Sequence, residues 1–464
     1  MAKRRTARNT YYLVNLGCAK NAVDAASMAQ LLDESGMTAL EEARQAEVLI
    51  VNTCGFINAA KAESLQTLRE LARRKRPDQY LIAAGCMAQR YGAELAAQVP
   101  GLDGVIGTRR WMDILGLIQR LRARKHPEPL YHLPTEASTV GTDERGAVRA
   151  SVHGYSAYLK IADGCRRPCA FCAIPLIKGT AVSRPPEAII AEAQRLSAQG
   201  VQELILIAQD TTDYGHDLGL RDGLAHLLDR LTTETDVAWI RLMYAYPGAV
   251  SDRLIEMMAT RPQILPYLDM PLQHASRATL LRMRRPANVE WVYRTVEKMR
   301  AAMPNLALRT TFIVGYPGET DAEFEELVQF VRAMQFDRVG VFTYSFEENT
   351  PSAEQPNHLP ESVKQARRDH LMQVQQAISL AKNQAFVGRT LEVLIEGQGD
   401  GLTVGRSYRD APEVDGYVII EGDAPIGRPI IPVQITGAML YDLVGRAESA
   451  ASGVIALSAL QKGE

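Results

Sequence analysis

Three times between residues 11 and 125 a short apolar run closes on a cysteine and passes into an amphipathic stretch. The runs are YYLVNLGC, EVLIVNTC and QYLIAAGC; behind them come NAVDAASMAQLLDESG, a segment through KAESLQTLRELARRKR and one through AQRYGAELAAQV. β-Branched strands alternating with helices of period 3.6 are best buried in a parallel, doubly wound α/β sheet. Such sheets bind ligands beyond the carboxyl ends of their strands. Cys18, Cys54 and Cys86, spaced 36 and 32 residues apart, are therefore expected at one sheet edge. Any one of them alone reads as a small buried hydrophobe. The same place in three successive repeats argues for a shared task.

The alternation resumes further on. Residues 122–150 are rich in Pro, charge and small polar side chains, and 126–150 read as a linker after a first domain at 9–125. The strands then expected are YSAYLKIA, ELILIAQ, AWIRLMYA, YLDMPL, LRTTFIVG and RVGVFTYS. At roughly 33 residues per unit this is the pace of a (βα)8 barrel. Six units leave an open (βα)6 partial TIM-like barrel, with the long helical stretch 360–386 completing a domain over 151–382. Beyond Gly388, TLEVLIEGQ, LTVGRSYR, GYVIIEG and PVQITGAML predict a small C-terminal antiparallel β-barrel over 383–449.

Composition narrows the class. A formal net charge of −2 over 464 residues carries no whole-chain signature of nucleic-acid binding. No apolar run reaches the ~18 residues of a membrane span. The basic N-terminus MAKRRTARNT lacks a small-residue cleavage site and reads as an arm ahead of a strand, not a signal peptide. The expectation is a soluble, cytoplasmic α/β multi-domain protein without membrane contact. Six cysteines are too sparse for a disulfide scaffold. Metal ligation, catalysis and burial remain.

The other three cysteines sit in IADGCRRPCAFCAIPL, residues 161–176, where Cys165, Cys169 and Cys172 form a C-x3-C-x2-C run. Structural zinc takes four Cys or His ligands in paired modules, and the nearest histidines, His153 and His216, lack that spacing. A redox pair of Cys169 and Cys172 leaves Cys165 unexplained. An iron–sulfur cluster is the thiolate-only alternative. On a four-iron cubane, three thiolates leave one iron open to an outside ligand.

The run, with Phe171 before its last cysteine and a position just past the first strand of a partial barrel, resembles the radical S-adenosylmethionine superfamily. The resemblance implies a [4Fe-4S] cluster that chelates S-adenosylmethionine and yields a 5′-deoxyadenosyl radical, able to take hydrogen from an unactivated carbon. With the strand-end cysteines before it and the barrel after it, the chain from about residue 10 to 446 is similar in layout to the methylthiotransferase family. That implies a flavodoxin-like doubly wound N-terminal domain, a radical core and a TRAM-like β-barrel. It also implies that Cys18, Cys54 and Cys86 hold a second [4Fe-4S] cluster on the sulfur side. A reductant such as flavodoxin or ferredoxin, a sulfur donor, and a second S-adenosylmethionine as methyl source are implied as well.

Other residues carry less. In RTTFIVGYPGET, Gly315 and Gly318 would let backbone approach S-adenosylmethionine closely, and Thr320 or Asp321 would cap the next helix; an ordinary strand–turn–helix explains the segment equally well. Gln209 in LIAQDTTDYG stands where many radical enzymes resembling this one carry Gly-Gly-Glu, which leaves the holder of the cofactor's amine open. Gln273 and His274 in MPLQHAS end the fourth barrel strand on the same rim, Gln273 as a cofactor contact and His274 as a proton shuttle or a structural histidine.

The family has branches that modify an adenosine of transfer RNA or the β-carbon of an aspartate in the twelfth small-subunit ribosomal protein. From Arg389 to Arg446 the terminal module has five basic residues (Arg389, Arg406, Arg409, Arg428, Arg446) against nine acidic ones (Glu392, Glu396, Asp400, Asp410, Glu413, Asp415, Glu421, Asp423, Asp442). A phosphate backbone demands the opposite balance, whereas an acidic face suits a basic protein. DAPEVDG, IAQDTTDYG, YLDMPLQHAS with MRRP, and DRVGVFTYSFEENT resemble the ribosomal-protein branch. The alternatives are the transfer-RNA enzyme and a non-catalytic iron–sulfur electron carrier or binding module.

Overall fold

The computed structural model describes residues 8–123, 128–134, 146–425 and 427–447. The first residues of the basic arm and most of the expected linker lie outside them. Residues up to Gln375 form one compact unit and those from Gln376 a second.

The chain opens with β1 (Thr10–Asn15), α1 (Ala19–Glu34), β2 (Thr38–Ala39), β3 (Val48–Thr53), α2 (Asn58–Arg74), β4 (Tyr80–Ala84), α3 (Gly85–Gln98), β5 (Gly104–Gly107), α4 (Ile114–Ala123) and β6 (Leu130–His132). These strands make one parallel sheet in the order β2-β1-β3-β4-β5-β6, a flavodoxin-like order with one strand added. β3 is buried at every residue, as a central strand covered on both faces must be. Its side chains divide by the two-residue period: Val48 and Ile50 join Leu32, Trp111 and Leu117 on one face, and Leu49 and Val51 join Leu68, Leu81 and Leu95 on the other. Strands β5 and β6 were not expected, and β6 falls inside the segment read as a linker.

The second sheet begins with β7 (Ala150–His153) and β8 (Ser156–Lys160), followed by β9 (Ala162–Asp163), α5 (Ile174–Lys178), β10 (Val182–Ser183) and α6 (Pro186–Ala198). It continues through β11 (Glu203–Ile207), α7 (Gly223–Glu234), β12 (Trp239–Leu242), α8 (Asp252–Thr260), β13 (Ile264–Asp269), α9 (Arg277–Arg282) and α10 (Val289–Ala302). The run ends with β14 (Ala307–Val314), α11 (Asp321–Met334), β15 (Arg338–Thr343) and α12 (Glu361–Gln384). The order β15-β14-β13-β12-β11-β8-β7 is the open six-stranded parallel wall the repeat predicts, with antiparallel β7 added at one edge. Thr320 caps α11 with Glu323 in a reciprocal capping box.

The terminal unit is a closed barrel of β16 (Thr390–Gly399), β17 (Leu402–Ser407), β18 (Val418–Glu421), β19 (Ile430–Ala438) and β20 (Leu443–Ala447). One pairing departs from the all-antiparallel expectation: β18 and β20 run parallel, and β20, a short strand not foreseen, closes the ring between β18 and β19. Inside the barrel unit Arg406 is fully buried and donates to the Asp410 carbonyl at 3.0 Å, while Arg409 is buried against Asn383 and the Phe386 ring. Only Arg389, Arg428 and Arg446 remain exposed, against exposed Glu392, Glu396, Asp400, Glu413, Glu421 and Asp423. The exposed balance stays acidic, three guanidiniums against six carboxylates, although one of those, Glu396, pairs with the buried Arg406.

Candidate metal centres

The register of the first sheet brings its three cysteines together. Asn15 pairs with Asn52 and Asn52 with Ala84, so β1, β3 and β4 end level, and Cys18, Cys54 and Cys86 follow within three residues. Gly17, at φ +99°, precedes Cys18; a Cβ there would lie 2.9 Å from the Cys54 Cβ and 3.1 Å from its Sγ. Only glycine allows that approach. Asn21, buried in the first turn of α1, stitches the three ends. Its Nδ2 donates to the Leu16 carbonyl at 2.8 Å and the Thr53 carbonyl at 3.0 Å, and its Oδ1 accepts from the Cys86 thiol at 3.5 Å. Ser64 holds the Cys54 backbone from below, accepting its N–H at 3.0 Å.

The three thiols differ electrostatically. Burial pushes Cys86 up to about 12 and raises Cys54. Burial acts on Cys18 too, but Lys20, the backbone N–H groups of Asn21 and Lys20, and Lys178 outweigh it and bring the thiol below its ordinary value. Cys18 is also the one of the six that is exposed.

The second trio is pinned as a single loop between β9 and α5. Ala170 donates to the Met283 carbonyl at 2.9 Å and accepts from Ser352 N–H at 3.0 Å. Arg166 forks onto Asp213, with its closest contact at 2.6 Å, and Arg167 reaches Asp210 at 2.7 Å. The carboxylates of IAQDTTDYG therefore clamp the two arginines that separate Cys165 from Cys169. The Tyr246 ring lies under the Arg167 guanidinium at 4.2 Å and that of Arg285 at 4.3 Å. Arg285, from the MRRP segment, donates to the Cys169 sulfur at 3.6 Å, and Arg167 N–H donates to the Cys165 sulfur at 3.5 Å. Burial lifts Cys165 to about 11 and Cys172 to about 12. A thiolate set met by N–H donors fits an iron–sulfur cluster, whose sulfurs are tuned by such bonds. Among the described residues no three Cys, His, Asp or Glu groups converge on a point that one metal ion would occupy.

One member of the first trio reaches the segment behind the second: Cys86 packs against Ala173, which directly follows Cys172, and Ile177, five residues past it. Behind them lies a buried ion network: Asp24 of α1 and Asp163 of β9 share Lys160, Lys178 and Arg149. Lys178 lies 2.9 Å from Asp24 and 3.0 Å from Asp163, Arg149 lies 2.9 Å and 2.7 Å from the same pair, and Lys160 contacts both. Three cations face two carboxylates. Burial accordingly lowers Lys160 to about 8. It opposes the charged form of Lys178 as well, but Asp163 and Asp24 prevail and raise that lysine. Both carboxyls are held below their ordinary range by these cations in spite of burial.

The softer candidates fall on the rim of the second sheet, with different fates. Gln209 follows β11 directly, and its buried Oε1 has no hydrogen-bond partner among the described residues. Gln273 sits at φ +76° and bonds through its backbone to Thr311 and Ile313 beside β14. The His274 side chain is wholly buried. Its Nδ1 accepts from Ser276 N–H at 2.9 Å, and its Nε2 lies 3.6 Å from Glu319, which is itself held by Arg367 at 2.7 Å. At that distance Nε2 makes no hydrogen bond and has no hydrogen-bond partner among the described residues. Gly315, at φ +71°, needs no cofactor to explain it, because a Cβ there would strike Lys364 of α12 at 2.3 Å. Gly318, at φ +73°, has only the Arg282 side chain near, at 3.7 Å. Asn21, Lys178 and Arg285 were not singled out from the sequence. Arg285 had a signal in the MRRP segment; the other two act across partners remote in the chain.

Family comparisons agree with this arrangement. Models match for the uncharacterized protein family UPF0004 over residues 10–107, the radical SAM superfamily over 159–331 and the TRAM domain over 387–447. The class so defined is the radical S-adenosylmethionine enzymes, which implies S-adenosylmethionine and a [4Fe-4S] cluster. Two solved structures share the fold: a radical S-adenosylmethionine methyltransferase, TsrM, from Kitasatospora setae (TM-score 0.55, 13% identity, 86% of this chain and 77% of that one), and the cobalamin-dependent radical enzyme OxsB (TM-score 0.50, 12% identity, 80% and 56%). Among curated proteins, the ribosomal protein uS12 methylthiotransferase RimO of Chloroflexus aurantiacus is 52% identical over 95% of this chain and 100% of its own length. Its namesake in Symbiobacterium thermophilum is 47% identical over 94% and 90%. The chain belongs to the RimO family of radical S-adenosylmethionine methylthiotransferases.

Proposed function

We propose that the protein adds a methylthio group to the β-carbon of an aspartate in small-subunit ribosomal protein twelve. The observation that supports the reading is the packing of Cys86, from the first trio, against Ala173 and Ile177, which stand one and five residues past Cys172 of the second. One site alone would suffice for electron transfer; two sites suit a reaction that joins a radical to a sulfur source.

Cys165, Cys169 and Cys172 would hold the cluster that binds S-adenosylmethionine, and Cys18, Cys54 and Cys86 a second one on the sulfur side. When bound, these groups supply a radical able to break an unactivated C–H bond and the sulfur that replaces the hydrogen. The chain's own residues then hold and orient. Arg285 and the Arg167 backbone steady two of the sulfurs. The orphaned Gln209 Oε1 is an acceptor suited to the cofactor's ammonium, and Gln273 and the Gly318 turn offer further contacts on the rim. The acidic barrel surface favours a basic protein over a phosphate backbone. Such a substrate places the enzyme in the cytoplasm, with a reductant such as flavodoxin or ferredoxin and a sulfur donor as partners. No helix among the described residues is long and apolar enough to cross a membrane.

The test is an anaerobic competition in which reconstituted enzyme, reductant, sulfide and S-adenosylmethionine meet the ribosomal protein and an anticodon-arm RNA together. Mass spectrometry is expected to find SCH3 in place of H on an aspartate. The same gain on adenosine would assign the RNA as substrate instead.

A further inference from the structure

The first turn of α1 holds a lysine, Lys20, and no acidic residue. That is the wrong end of a helix for a cation, so the local structure gains nothing from it. Lys20 is half-buried, and its ammonium lies 3.1 Å from the centroid of the Tyr244 ring. Among the described residues it has neither a hydrogen-bond nor an ion-pair partner. Its cationic neighbours are all provided for. Lys160, Lys178 and Arg149 share Asp24 and Asp163, Arg309 holds Asp269 at 2.8 Å, Arg166 and Arg167 hold Asp213 and Asp210, and Arg285 lies on Cys169. Cys18, Asp269 and Asp163 act on this cation only from a distance, so with an aromatic face against it no carboxylate is in direct contact with the ammonium.

The platform under it is built with strain. Tyr244 follows β12 at φ +63° and is kept there by its N–H on the Asp269 carboxylate at 3.2 Å and by its carbonyl, which accepts from Thr211 at 3.1 Å. Gln273, just past the adjoining β13, is likewise left-handed. Non-glycine residues persist in that region only where the surroundings enforce it, and they gather where ligands are held. Lys20 comes from α1, two residues past Cys18, and Tyr244 follows β12 of the second sheet.

We propose that Lys20 is the specificity-determining residue that binds the side-chain carboxylate of the target aspartate, with Tyr244 holding the ammonium in place beforehand. This rests on the function proposed above. The β-carbon is bonded directly to the carboxyl carbon, so pinning the carboxylate positions the C–H bond that is to be broken. A neutral amide in the same place leaves the lysine uncompensated.

The experiment measures equilibrium binding of ribosomal protein twelve, and of its variant with the target aspartate replaced by asparagine, to reconstituted full-length enzyme with S-adenosylmethionine and no reductant. Wild type is expected to prefer the aspartate form. Lys20→Met should weaken that form on the order of 30-fold, the typical effect of removing one partner of a buried charge pair, and leave the asparagine form where it was. Lys20→Arg should restore part of the preference, and iron content and thermal midpoint should match wild type. Equal losses on both forms would overturn the proposal. So would weakened S-adenosylmethionine binding with the preference intact, or loss of iron, each of which makes Lys20 a cofactor or structural residue. If wild-type enzyme binds neither form, the ribosomal substrate itself is wrong and the proposal falls with it.

Discussion

Cys165, Cys169 and Cys172 share one loop of eight residues, whereas Cys18, Cys54 and Cys86 come from three strand ends between residues 18 and 86. The loop is held by clamps attached to itself: Arg166 and Arg167 on Asp213 and Asp210, and Ala170 on Met283 and Ser352. The scattered trio has no loop to hold. It exists because three parallel strands stop level and because one buried amide, Asn21, ties their ends. A ligand set written in consecutive residues survives small changes in the sheet. One assembled from a register does not.

Four experiments bear on that contrast. Cys169→Ala should abolish 5′-deoxyadenosine release, while Cys54→Ala should keep the release and lose methylthio transfer; equal loss in both variants would mean that the trios do not divide the labour. Asp24→Ala leaves three buried cations with a single carboxylate and should destabilise the protein by about 3–5 kcal/mol, read from anaerobic urea unfolding. A loss under ~1 kcal/mol would show that the network behind the trios is not what joins them. Asn21→Ala removes two donated bonds and a thiol's acceptor and should cost about 2–3 kcal/mol. Iron should leave the first trio selectively, with the spectroscopic signature of the second retained. The smallest effect is the acid limb of stability. The Asp24 and Asp163 carboxyls are lowered in the folded chain. Their contribution is therefore complete above the unfolded value near pH ~4 and is lost as pH falls towards the folded values. Asp24→Asn should flatten that limb, and an unchanged acid slope would remove the network from the account.

Much of this was legible beforehand, for local reasons. Strands such as VLIVNT and ELILI declare themselves because their own side chains are apolar on both faces, and the cysteine positions follow from where those runs stop. Among the strands that escaped notice, GVIG, LYH and LVGRA are short and poor in such residues, and they are strands only because a neighbour pairs with them. Gly315 reads in sequence equally as a cofactor glycine or an ordinary turn, and its neighbour Lys364, 49 residues on, is visible only in the fold. His274 reads as a rim histidine and lies wholly buried against Glu319.

The two sheets, the two sets of three thiols and the acidic terminal module can be read along the chain, because periodicity, spacing and charge are properties of neighbouring residues. Tertiary packing set the rest: Cys86 against Ala173 and Ile177, Asn21 between three loops, Arg406 and Arg409 off the barrel surface, and Lys20 over the Tyr244 ring. Most of these contacts join residues tens to hundreds of positions apart. No local pattern encodes such distances; packing sets them once the sheets have formed.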